Sequence, residues 1–168
     1  MSRATRSDME VVADILRSTA EWYEDLCDPD DLDQHDVPDT WVEENYQRRE
    51  FYVAKLDGEI VGTVSLQDAG DVLYLGYVYL HADHVGNGYG KRLLQFAQRM
   101  AEDRDKAGMV LIAHPEAKWA IKAYERFGFD VVAEERDDVL DWNGGWLTPY
   151  YEEGFHLLRY EVELQAGA

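Results

Sequence analysis

The sequence predicts a single α/β domain over residues 1–168, with a mixed, mostly antiparallel central sheet flanked by helices. Three observations predict it. Three β-rich runs follow one another with tight-turn signals between them, as in a meander. The last of them leads through closely spaced glycines into an amphipathic helix and then a continuous apolar run, a strand–helix–strand crossover of the right-handed kind. The length of 168 residues suits one core and is short for two.

In chain order, Ser7-Asp8-Met9-Glu10 has the Ser-x-x-Glu spacing of a capping box. Val11, Val12, Ile15, Leu16, Thr19 and Tyr23 then repeat at helical spacing, predicting a helix over about 8–26. Residues 28–38 form a charged, proline-bounded loop. Trp41, Val42, Asn45 and Tyr46 mark a short second helix. The runs 51–56 and 60–66 are joined by Asp57-Gly58, a strong two-residue hairpin signal. Ala69-Gly70-Asp71 reads as the next turn, and Val72 to His81 as the third strand. Tyr89, Leu93, Leu94, Ala97, Met100 and Ala101 share one face of the following helix. Met109 to Ala113 is apolar throughout, as a strand covered on both faces should be. Pro115 suits a first helical turn, so a helix is expected from there to Phe127. Gly128 is placed to stop it, with Phe129 supplying the usual apolar contact. Phe129 to Glu134 reads as a strand, 137–154 as a loop, and His156 to Leu164 as an alternating last strand.

Charge is unevenly balanced: 16 basic residues face 35 acidic ones, a net charge of −19. Such a surface repels nucleic-acid phosphates and anionic membranes, so neither is an expected partner. Acids scattered along the chain, with lysine scarce beside arginine, suggest the solvated coat of a salt-adapted, halophilic protein. The single cysteine, Cys27, cannot form an internal disulfide. No apolar stretch reaches membrane-spanning length, and the basic start runs into acids rather than an apolar segment. The expectation is a soluble cytoplasmic protein.

The stretch from His84 to Leu94 places Gly86, Gly88 and Gly90 between a strand and a helix. Glycines let backbone N–H groups approach a ligand, and a helix start is the positive end of the macrodipole. Together they can seat a phosphate. Two nucleotide motifs fail on spacing. The G-x-x-x-x-G-K-[ST] loop would need glycine at Val85 and a hydroxyl at Arg92. The G-x-G-x-x-G fingerprint meets Lys91 or Leu93 where a small residue is required.

Residues Leu80 to Leu94 resemble the acetyl-coenzyme A loop of the GNAT family of N-acetyltransferases, whose core pattern is [QR]-x-x-G-x-[GA]. Ala120 to Phe129 is similar to that family's later A-x-x-x-Y-E-x-x-G-F signature, and the element order resembles the family over nearly the whole chain. The family's first strand would be squeezed into residues 1–6. The resemblance implies acetyl-CoA as co-substrate, its pyrophosphate held by N–H groups of Gly86, Asn87, Gly88, Tyr89, Gly90 and Lys91. It implies that Val78, Tyr79 and Leu80 bind the pantetheine arm, the Val78 N–H polarising the acetyl carbonyl. Tyr124 would protonate the departing thiolate.

Three positions depart from the family pattern. Val85 replaces the usual Gln or Arg, so the backbone must carry the phosphate contact there. Ala117 stands where many relatives have Asn, and Tyr74 where some place a glutamate base. Candidates for the base are Tyr74, His81, His114 and Glu50, or a water chain. His81 and His84 lack a spaced third ligand, so no metal is expected. The acceptor is expected near the loop after the first helix and near the aromatic, acidic loop Asp137 to Tyr151, where rings and carboxylates can surround an amine. Those rings would otherwise pack on the sheet edge or on a neighbouring subunit, which admits a homodimer. The sequence therefore reads as an acetyl-CoA-dependent N-acetyltransferase acting on a primary amine of a small molecule or peptide. An idle acyl-CoA-binding sensor of the same fold is the alternative, and an interaction scaffold a further one.

Overall fold

The computed structural model describes residues 1–24, 40–46, 49–80, 88–151 and 153–162. In order these hold β1 (Ser2–Arg3), α1 (Arg6–Glu24), α2 (Trp41–Asn45), β2 (Glu50–Leu56), β3 (Glu59–Ala69), β4 (Val72–Leu80) and α3 (Tyr89–Asp103). There follow β5 (Gly108–Ala113), α4 (Lys118–Phe127), β6 (Asp130–Ala133), α5 (Arg136–Asp141), a 3-10 turn at Trp142–Gly144, and β7 (His156–Glu161). Among the described residues the strands make one sheet, ordered β1-β2-β3-β4-β5-β7-β6. The β4–β5 pair is parallel, whereas β1–β2, β2–β3, β5–β7 and β6–β7 are antiparallel. The fold is thus α/β, its mixed sheet mostly antiparallel and flanked by helices. The loop 28–38 and Cys27 lie outside the described residues, as do His81, His84 and Leu164. Among the described residues no helix is long and apolar enough to cross a membrane.

Two compact units divide the chain: Met1–Gln67 with Leu75–Ala97, and Asp68–Tyr74 with Gln98–Ala168. In the first, α1 begins earlier than the Ser7/Glu10 box predicts. Thr5 Oγ1 accepts from Asp8 N–H at 3.1 Å, and Asp8 Oδ2 accepts from Thr5 N–H at 2.9 Å. The reciprocal cap is therefore Thr5-x-x-Asp8. The cause is upstream: Ala4, buried, gives its N–H to the Phe51 carbonyl at 2.9 Å, so the chain leaves the sheet edge and must turn at Thr5. The Asp8 carboxyl is held below its ordinary value chiefly by the Thr5 N–H.

Apolar spacing buries Met9, Val12, Ala13 and Leu16 of α1 with Trp41 and Val42 of α2 against Phe51 and Val53 of β2. Trp41 and Phe51 meet edge to face with ring centroids 5.5 Å apart. The alternate residue Tyr52 points the other way, onto Phe96 of α3 at 4.9 Å. So α1 and α3 cover opposite faces of this part of the sheet. The β2–β3 turn has Asp57 at φ 51° and Gly58 at φ 84°, the two positive values that a type I′ turn needs. The strand β3 runs on through Ala69, three residues past the predicted end at Leu66, and the turn falls at Gly70-Asp71.

In the second unit, β5 pairs along its length with β7, and Val110 and Leu157 join Val72, Tyr74, Val139 and Leu147 in one core. The predicted loop 137–154 is corrected at its start: Arg136–Asp141 is helical. Asp137 and Asp138 occupy the first turn, where the dipole favours carboxylates, and Val139 anchors it in the core. A helix of six residues is too short to show a period. The second correction concerns Pro115. The helix α4 starts at Lys118, and Pro115-Glu116 are the centre of a turn closed by Ala117 N–H to His114 C=O at 3.0 Å. Proline there presets the turn rather than the helix.

Candidate active site

The first unit contributes the end of β4 and the start of α3. Gly88 stands before the helix at φ 84°, a left-handed conformation that only glycine adopts without strain. Among the described residues, a Cβ at Gly90 would touch nothing closer than Leu80 Cδ1 at 3.8 Å, so none of their atoms demands glycine there. The bare turn is a cradle that a side chain would fill. Its first turn holds no acidic residue, and Lys91 and Arg92 are exposed on it, Arg92 lying 5.7 Å over the Tyr89 ring. In a chain of net charge −19, this is a local positive seat for a phosphate. Buried Leu93, Leu94 and Ala97 fix the helix that presents it. Val85, Gly86 and Asn87 lie outside the described residues. The site therefore fits a pyrophosphate through Gly88, Tyr89, Gly90 and Lys91.

Just upstream, β4 loses its alternation. Gly76 faces Ser65 and Arg49, and Ser65 pairs with Phe51 on the α1 side. Tyr79, three residues on, packs against the same α1–α2 core. An odd spacing on one face means that the strand slips between Gly76 and Tyr79, as at a β-bulge. Val78 falls within the slip.

The second unit carries Tyr74, His114, Ala117 and Tyr124. Tyr124 lies on α4, and burial pushes its phenol up to about 12. The helix end holds it: Phe129 N–H bonds the Tyr124 carbonyl at 3.0 Å and Gly128 N–H bonds that of Glu125 at 3.1 Å. This is a Schellman cap with Gly128 at φ 128°, and its customary apolar contact is the Tyr124–Phe129 ring pair at 5.9 Å. Phe127 and Tyr160 complete the cluster, at 5.2 Å from each other. Ala117, buried, precedes α4, and its carbonyl takes the Ile121 N–H.

His114 closes β5. Its Nδ1 accepts the Glu116 N–H at 3.1 Å, which makes Nε2 the protonated nitrogen of the neutral ring. In that state His114 is a donor and has no lone pair for an ammonium proton. Tyr74 is buried, stacked on Tyr150 at 5.3 Å and edge-on to Trp146 at 5.1 Å. The aromatic segment thus packs on the sheet of its own unit. Arg49 and its seat at Gly76 escaped sequence reasoning, because neither belongs to a motif and their meeting depends on tertiary contact.

Comparison with known proteins places this geometry in a class. A profile of the acetyltransferase (GNAT) family matches residues 14–129. The chain belongs to that family. It is 29% identical to N-acetyltransferase 8 of Mus musculus over 98 residues, 55% of this chain and 43% of that protein. It is 31% identical to the mycothiol acetyltransferase of Streptomyces coelicolor over 111 residues, 63% of this chain and 34% of that protein. The match thus spans less than half the length of these curated relatives. The fold is shared with the PaiA N-acetyltransferase of Thermoplasma acidophilum, solved in complex with coenzyme A. There the TM-score is 0.70 at 15% identity, covering 96% of this chain and 99% of that one.

Proposed function

We propose that this chain transfers the acetyl group of acetyl-CoA directly to a primary amine of a small molecule or peptide, as a cytoplasmic enzyme. The observation that carries the reading is the glycine-bared, carboxylate-free first turn of α3, following the slip in β4 within a chain of the GNAT family. The turn binds pyrophosphate through backbone N–H groups. A slipped strand leaves ladder groups unpaired, and the Val78 N–H polarises the acetyl carbonyl, which favours charge developing on its oxygen.

The amine nitrogen forms its bond to the acetyl carbon as the carbon–sulfur bond breaks, and the nitrogen's surplus proton ends on sulfur. Tyr124 assists at the sulfur. A phenol at about 12 stays protonated, yet it is a weaker acid than a thiol, ordinarily near 8.5. It therefore acts by hydrogen-bond donation to the leaving sulfur more than by complete proton transfer. With Nδ1 of His114 engaged and the Tyr74 ring stacked, the acceptor's first proton is left to Glu50, His81 or a water chain.

Those two engaged side chains also favour a second reading, an acyl-CoA-binding sensor without turnover. Thiol release from acetyl-CoA, measured across a panel of amines beside calorimetric binding, separates the two. Turnover with any amine supports the transferase; tight binding without thiol release from any of them supports the sensor.

A further inference from the structure

Two small residues of β3 frame the slip in β4. Against β2 the strand β3 keeps even register from Gly62, opposite Ala54, to Leu66, opposite Glu50, so Gly62 and Ser65 face opposite sides. A Cβ at Gly76 would stand 2.9 Å from Ser65 Oγ, which puts Gly76 on the Ser65 side. A Cβ at Gly62 would stand 2.8 Å from Leu80 Cδ2 and 3.4 Å from Leu93 Cδ1 of α3, which puts Leu80 on the other side. Gly76 and Leu80 are four residues apart and would share a face in a regular strand. They do not, so one residue too many lies between them. At the near end of this interval the buried Ser65 donates from Oγ to the Gly76 carbonyl at 2.7 Å. At the far end Gly62 leaves room for Leu80 and for the Tyr79 carbonyl, which would stand 3.1 Å from a Cβ.

Resting on the acetyl-transfer reading, we propose that Ser65 is a positioning residue, whose hydroxyl pins the Gly76 carbonyl where β4 begins to slip and so aims the Val78 N–H at the acetyl carbonyl. A buried carbonyl at a bulge needs a donor, and a side-chain hydroxyl can follow it out of ladder register. From Gly76 to Val78 the strand spans at most about 7 Å, so a shift at the pinned carbonyl is carried to Val78. A donor lowers the barrier only where it meets the developing charge, and a misplacement of about 1 Å can cost on the order of 100-fold in rate. Ser65 therefore acts through β4 rather than on the acetyl group itself.

The test compares wild type with Ser65→Ala, Ser65→Thr and Thr63→Val. Thr63 is the control, a buried hydroxyl of the same strand that donates to the Tyr52 carbonyl of β2 at 2.9 Å. Each protein is measured for thermal melting, acetyl-CoA affinity, and kcat and KM with an amine that the wild type acetylates. The infrared carbonyl stretch of bound acetyl-CoA, isotopically labelled at that carbon, reads the N–H bond directly, since such a bond lowers it from its free value. Ser65→Ala should reduce kcat roughly 10- to 100-fold with acetyl-CoA affinity little changed, and return the stretch toward the free value. Ser65→Thr keeps the hydroxyl and should restore most of both, and Thr63→Val should lose stability alone. Either readout unchanged in Ser65→Ala overturns the proposal. So does an equal fall of kcat in Thr63→Val, which marks a general loosening of β3. If Ser65→Ala does not fold, Ser65→Cys, a weak donor of similar size, decides by the same two readouts. Absence of thiol release by wild type with every amine instead removes the transfer reading itself, and this proposal with it.

Discussion

Phe129 gives its backbone N–H to the Tyr124 carbonyl at 3.0 Å and sets its ring 5.9 Å from the Tyr124 ring. The candidate hydrogen-bond donor to sulfur is thus also the anchor of its own helix cap. Removing the hydroxyl alone should separate the two roles. Tyr124→Phe keeps the ring contact and the cap, so its melting temperature should stay close to wild type while kcat falls about 10- to 100-fold, with acetyl-CoA affinity little changed. Steady-state kinetics beside calorimetry decide it, and undiminished kcat would take Tyr124 out of the chemistry.

The cap itself should be costly to break. Gly128 sits at φ 128°, and a Cβ there would stand 2.8 Å from the Tyr160 ring. Gly128→Ala should therefore destabilise by roughly 1–3 kcal/mol. Phe129→Ala, at a fully buried position, should cost about 3–5 kcal/mol. Urea unfolding measures both, and a Gly128→Ala protein as stable as wild type contradicts the strained geometry.

At the phosphate seat, Gly90→Asp should abolish acetyl-CoA binding, because its carboxylate would occupy the bare turn and repel the pyrophosphate. Among the described residues a Cβ at position 90 meets only Leu80, at 3.8 Å, and Gly90→Ala should fold normally. Calorimetric titration of the Asp variant with acetyl-CoA tests this, and retained affinity counts against the seat.

The Thr5–Asp8 cap should make stability depend on acid. Asp8 is held below its ordinary 3.8, so its contribution is complete above that value and disappears as pH falls through the lowered one. Thr5→Ala should cost about 1 kcal/mol at neutral pH. The melting difference between wild type and Asp8→Ala should shrink below pH 3.8. A difference unchanged in strong acid would show that the carboxylate is not the capping group.

Net charge of −19 implies self-repulsion that salt relieves. The melting temperature should rise steadily from low to molar salt. A flat profile would argue against the salt-adapted surface.

Much of the fold was legible where a local signal and a tertiary need coincide. Asp57-Gly58 specifies its turn by φ alone, and Gly128-Phe129 caps α4 as its spacing implies. Expectation failed where two local signals compete and a distant bond decides. Thr5/Asp8 and Ser7/Glu10 both fit a capping box, and Ala4 bonding to Phe51 selects the first. Pro115 fits both a helix start and a turn, and the bond from Ala117 to His114 selects the turn. For the site, Gly88, Gly90 and Tyr124 announce themselves by motif. Arg49 resting on Gly76 does not, since 27 residues of sequence separate them.

The packing of Tyr74, Trp142, Trp146 and Tyr150 has an optical consequence. Trp142 and Trp146 stand 6.2 Å apart with planes at 89°, and Trp146 is 5.4 Å from Tyr150. Chromophores so close and so fixed couple their transitions, giving circular dichroism in the near ultraviolet that vanishes once packing loosens. All four lie in the second unit, whereas Trp41 sits in the core of the first. The coupled part of the near-ultraviolet band therefore reports on the second unit, and its loss compared with the far-ultraviolet signal would reveal whether packing in that unit loosens before the secondary structure melts.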